Sequence, residues 1–144
     1  MGNNLLKKGG KPKKCISIEE ARELQKVWCD TRAPEIDKCI GCEDTREFWW
    51  SVEELQEYLK YVKKKSKKQG IDNPGIRIYF GAYPESKCKM KKGYSTVFLA
   101  PTGAPAGEMG KGVDGAPNNY KIAPYNRSSS GGAGAGGDSK SNDY

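Results

Sequence analysis

The 144 residues carry 25 basic and 18 acidic side chains, a net charge of +7, and no histidine. The missing imidazole removes the usual general base at neutral pH, every Ser-His or Cys-His nucleophile, and every metal site that depends on imidazole nitrogen. No apolar run approaches the roughly 20 residues that cross a bilayer, and five cysteines at irregular spacing do not resemble a secreted disulfide framework, so a cytoplasmic chain with reduced thiols is expected.

Charge is divided unevenly. Residues 1–14 hold five lysines and no acid, residues 15–59 have a net charge of −7, and residues 60–92 a net charge of +9. The first stretch, rich in Lys, Gly and Asn, has little to bury and reads as a disordered basic arm. A compact domain is expected over 15–103. Residues 104–126 read as an extended segment that can pack on it, and residues 127–144 as a disordered Gly/Ser-rich tail.

The first helix is expected at "SIEE". Ser17 is a good N-cap, and Glu20 stands where it would close a capping box. Ile18, Ala21, Leu24, Val27 and Trp28 then recur at helical spacing, and Pro34 is expected to end the helix or at least to confine it to residues before Ala33. The segment "APEIDKCIGCED" reads as a loop, followed by a short strand over about Thr45–Trp50. A second helix starts at Ser51, which Glu54 would reciprocate. Trp50 before the cap and Leu55 after it have the spacing of a hydrophobic staple. Acids in the early turns and lysines in the late ones complement the helix dipole, and Gly70 supplies the stop.

"GIRIYFGAYP" and "YSTVFLA" have the β-branched and aromatic content of strands, and the basic loop between them suggests a hairpin. A further strand is possible at "YKIAPY". The expected fold is therefore α+β: a small, mainly antiparallel sheet of three to four strands with two helices packed on one face, the face of Ile78 and Phe80.

Period-two alternation then sorts the strands. Trp50 goes inward with Ile76, Ile78 and Phe80, whereas Glu47 and Trp49 go with Arg77, Tyr79 and Tyr83. Aromatics mixed with one acid and one guanidinium suit a surface that meets a protein or a small ligand. The alternatives are that residues 101–125, with Val113, Tyr120, Ile122 and Tyr125, fold back over this face, or that an Arg77–Glu47 pair simply decorates it.

Other chemistry is weaker in the sequence. Cys39 and Cys42 form a lone CxxC that could hold zinc only if distant cysteines joined it; ordinary thiols are the expectation, with no cofactor. The lysine clusters, among them Lys63, Lys64, Lys67, Lys68, Lys89, Lys91 and Lys92, could track the phosphates of a nucleic acid. Carboxylates and tyrosines leave an enzyme of unidentified type conceivable without histidine. No membrane association is expected.

Taken together, "DTREFWWSVEELQEYLKYV", "GIRIYFGAYP" and "YSTVFLAPTG" resemble a family of small uncharacterised proteins from Bacteroidetes-type bacteria. The likeness covers about residues 16–103 and implies no activity, cofactor or substrate. The leading expectation is a non-enzymatic interaction module, with nucleic-acid binding as the alternative.

Overall fold

Helix α1 (Ile18–Thr31) begins where expected, with the Ser17 hydroxyl accepting from the Glu20 amide at 3.0 Å. The side chain thereby satisfies one of the orphan donors of the first turn. These and the other positions below come from a computed structural model that describes residues 9–84, 93–107 and 116–127, together with the backbone of 129–131. The expected basic loop with Cys88, Lys89, Lys91 and Lys92 lies outside the described residues, as do 1–8 and 132–144.

Pro34 does not simply close α1. It stands in the first turn of a second helix, α2 (Ala33–Ile40), where the expectation was a loop. The reason is positional: a first-turn residue has no intrahelical acceptor for its N–H, so proline loses nothing there and its fixed φ suits the helix. Gly41, in the left-handed region at φ 77°, ends α2.

Strand β1 (Glu47–Trp49) follows and passes into α3 (Val52–Lys68). The capping box at this junction is complete: Glu54 N–H donates to the Ser51 hydroxyl at 3.1 Å, and Ser51 N–H donates to the Glu54 carboxylate at 2.7 Å. Gln69 caps the far end and Gly70 turns left-handed at φ 73°.

Strands β2 (Gly75–Ala82) and β3 (Ser95–Thr102) form the expected antiparallel hairpin, with Ile78 opposite Leu99 and Phe80 opposite Val97. On its other side β3 meets the returning chain. Leu99 and Tyr125 exchange backbone hydrogen bonds of 2.7 and 2.9 Å, and Thr102 bridges Asn118. Strand β4 (Ser129–Gly131) pairs antiparallel with β1, so part of the expected tail is in a ladder. The fold is α+β, with three helices and four strands among the described residues, the strands in two separate pairs. No described helix is long and apolar enough to cross a membrane.

The core is built around β3. Tyr58 and Val62 of α3, Leu99 of β3 and Ile122 of the return segment are buried together, with Trp50, Leu55, Ile76 and Tyr125 packed against them. Both halves of the Trp50/Leu55 pair thus join one cluster. The expectation that the Ile78 and Phe80 face is covered by helices is corrected: Ile78 is 66% and Phe80 81% exposed. Opposed residues of an antiparallel pair share a face, but only the β3 side is roofed by Tyr58 and Val62. Strand β2 has no outer partner among the described residues, and its apolar side chains on that face remain open beyond Ile76.

Candidate functional site

The five residues expected to share one binding face are divided between the two ladders. Glu47 and Trp49 stand on β1, paired to β4, whereas Arg77 and Tyr79 stand on β2 and Tyr83 just past its end. Strand alternation therefore does not join Glu47 and Trp49 to the others. Alternation does describe the tryptophan pair: Trp49 is 62% exposed, while Trp50 lies against Tyr125 with ring centres 5.8 Å apart and donates its indole N–H to the Asn126 carbonyl at 3.1 Å.

Arg77, Tyr79 and Tyr83 are engaged by the chain itself. The Arg77 guanidinium donates to the Asn118 side-chain carbonyl and, at 2.9 Å, to the Ala116 carbonyl. Asn118 returns a hydrogen bond from its amide to the Tyr79 oxygen at 2.7 Å, and Tyr79 stacks on Phe98 across the hairpin with ring centres 5.2 Å apart. That amide, with the Arg77 charge assisting, holds the Tyr79 phenol below its ordinary pKa against the opposing effect of desolvation. Nearby, the Thr96 hydroxyl donates to Tyr83, the Tyr83 phenol donates to the Asn126 side-chain carbonyl, and the Asn126 amide donates back to Thr96, at 3.3, 3.1 and 3.0 Å. Such a closed ring leaves each member satisfied and mutually polarised. The return segment is thus the partner that these side chains meet.

The structure opens a different site. A cleft of about 380 Å³ lies between α1, the β1 segment and the end of the hairpin, with mainly apolar walls. Trp28 of α1 and Phe80 of β2 face one another there, nearly parallel at 11° with ring centres 5.9 Å apart. Ile36 of α2 and Phe48 of β1 extend the apolar wall. At the polar end, the Arg46 guanidinium donates to the Cys29 sulfur at 3.2 Å and to the Glu43 carboxylate at 3.0 Å.

Asp44, 3% exposed, anchors the segment that brings Arg46 here. Its backbone N–H donates to Asp37 at 2.7 Å, and its carboxylate accepts from Ser95 N–H at 2.8 Å. Buried carboxylates persist only with such partners. The fixed segment ties α2 to the start of β3, and so fixes the width of the cleft. The cleft can hold a flat apolar body and offer its polar end a guanidinium.

Sequence reasoning assigned Trp28 and Phe80 to the core, one on the apolar face of a helix and one on the apolar face of a strand. No sequence signal separates a ring that meets the core from one that meets only another ring at the rim, because that depends on where α1 lies across the hairpin.

The other candidate residues are dispersed. Cys39 is exposed on α2, and the Cys42 thiol donates to the Tyr94 phenol at 3.5 Å. Among the described residues no three Cys, Asp or Glu side chains gather as a metal ion would require. Lys63, Lys64, Lys67 and Lys68 are exposed on α3. No protein-family model matches the chain, nor does any curated protein or solved structure.

Proposed function

We propose that this protein is a binding module whose cleft between α1, β1 and the hairpin takes a small, flat, largely apolar molecule bearing an acceptor for Arg46. The observation that carries this reading is the pair of facing rings, Trp28 and Phe80, at the side of a cleft of about 380 Å³. That volume lies within the ordinary range for small-molecule sites, which are mostly apolar with a few fixed polar groups. The reading keeps the sequence-based expectation of an aromatic recognition surface and moves it from the Arg77 face, where the return segment meets Arg77, Tyr79 and Tyr83, to the open cleft beside Trp28 and Phe80.

Anilinonaphthalene sulfonate, a flat anionic fluorophore, tests it. Saturable binding to the folded protein at one site is expected, with about a fivefold or greater loss of affinity in Phe80→Ala, the effect of losing one aromatic contact of about 1 kcal/mol. Phe80 is 81% exposed, so the variant keeps its fold and the comparison reads the cleft alone. Unsaturable binding, or equal affinity in the variant, defeats the reading.

A further inference from the structure

We propose that the lysine-rich end of α3, joined by Tyr120 and Lys121 of the return segment, is a binding surface for single-stranded nucleic acid. Two independent features meet there. Lys60, Lys63, Lys64, Lys65, Lys67 and Lys68 are all exposed on the last turns of the helix. Among the described residues none of them, nor Lys121, is paired with a carboxylate. Glu53 and Glu54 lie in the first turn, at the other end of a helix about 25 Å long; Glu57 stands one turn before Lys60, and Asp72, in the turn after α3, is the nearest acid in sequence at the basic end.

The second feature is a bare ring placed beside those charges. Tyr120 is 91% exposed, yet the backbone that presents it is held firmly. Asn119 donates from its backbone N–H to the Pro101 carbonyl at 2.9 Å and from its side chain to Gln69 at 2.7 Å, and its side-chain carbonyl accepts from Lys121 N–H at 3.1 Å. Gln69 is the capping residue of α3, so this hydrogen bond brings Tyr120 and Lys121 to the helix end where the lysines collect. A cleft of about 360 Å³, half polar in lining, opens between Gln69, Asn118, Tyr120 and Lys121.

The helix dipole accounts for basic residues in the last turn. It accounts neither for a run reaching back to Lys60 nor for an aromatic face left in water next to it. A fixed π-surface flanked by cations suits a strand whose bases are free to stack while its phosphates meet lysine. A duplex keeps its base faces in its own stack and gives Tyr120 nothing to meet. Charge complementarity therefore selects a polyanion, and the ring selects one with unstacked bases.

Fluorescence anisotropy with labelled oligothymidylate, a duplex of equal length, and heparin as competitor decides the matter, using the full chain. Oligothymidylate binding at low salt is expected to weaken steeply as salt rises. Tyr120→Ala is expected to lower affinity about tenfold while Tyr120→Phe retains it, since stacking needs the ring and not the hydroxyl. Lys67→Gln with Lys68→Gln is expected to reduce the salt slope by about 0.7 for each lysine removed, the value for a single strand. The proposal is overturned by no binding at low salt, by a duplex that binds as tightly with Tyr120→Ala inert, or by binding that survives the paired lysine change unaltered and so resides elsewhere. Circular dichroism of each variant confirms the fold, which these exposed positions leave intact.

Discussion

Removing one hydroxyl, in Tyr58→Phe, gives an effect whose sign depends on pH. Tyr58 is 6% exposed, stacks on Tyr125 with ring centres 4.6 Å apart, and donates to the Ala123 carbonyl at 2.9 Å, with Leu99 O at 3.3 Å. Leu99 O keeps a second donor, Tyr125 N–H at 2.9 Å, and Ala123 is exposed, so water can serve its carbonyl once the phenol is gone. The cost at pH 7 is therefore near the ordinary value for one hydrogen bond, about 1 kcal/mol. Burial, with a smaller contribution from Tyr61, pushes the Tyr58 phenol up to about 12.

A folded-state pKa above the unfolded value of about 10 means that the native protein holds the proton more tightly. The associated stability is fully present below pH 10 and is lost as pH rises toward 12. The gap corresponds to at most about 2.7 kcal/mol, and solvent screening brings it to about 1–2 kcal/mol. Urea unfolding of both proteins at pH 7, 9, 10.5 and 11.5 measures this. The wild type should lead by about 1 kcal/mol at pH 7 and lose that lead, or fall below the variant, by pH 11.5. A difference that stays constant across the series refutes the argument that this phenol is desolvated.

Three further outcomes are expected. Trp50→Ala should cost about 3 kcal/mol, because the half-buried indole packs against the core cluster and donates to Asn126, whereas Trp49→Ala should stay within about 0.5 kcal/mol, as surface changes do; chemical denaturation separates them, and equal losses would mean that both indoles pack on the core. Ser51→Ala, which opens the capping box of α3, should lower stability by about 1 kcal/mol, read as a fall in the thermal midpoint. Asn126→Ala breaks the ring with Thr96 and Tyr83 and a 2.7 Å bond to the Val97 carbonyl, and should cost about 2 kcal/mol; hydrogen exchange should then quicken at Tyr125 and Leu99, whose backbone ladder it supports.

What could be read in advance was local. Ser51, Glu54, Trp50 and Leu55 declare the β1 to α3 junction because capping and stapling are made by residues a few positions apart. The hairpin of Gly75–Ala82 with Ser95–Thr102 was legible for the same reason. What escaped was decided at long range. Whether Phe80 is covered depends on which side of the hairpin α3 roofs, and the return of Asn118 and Asn126 to Arg77, Tyr79 and Tyr83 rests on single side-chain hydrogen bonds that leave no periodic trace. Alternation correctly turned Trp49 outward; it gave no warning that β1 would pair with residues beyond 128 and leave the sheet of Arg77. Pro34 did bound α1, which ends at Thr31 before Ala33; the misreading was of the segment after it as a loop, because a proline that stops one helix can stand in the first turn of the next.

The placement of Ile122 and Tyr125 in the core has a bearing on how the chain acquires its shape during synthesis. A ribosome that has released everything through Thr102 has delivered α3 and the hairpin but not the side chains that close their shared interior. The partial product cannot bury Leu99 fully or occupy the acceptor side of β3. Nascent chains of increasing length should stay sensitive to protease until Asn126 has cleared the exit tunnel and then become resistant in one step, because contacts spanning such long sequence separations form late and together.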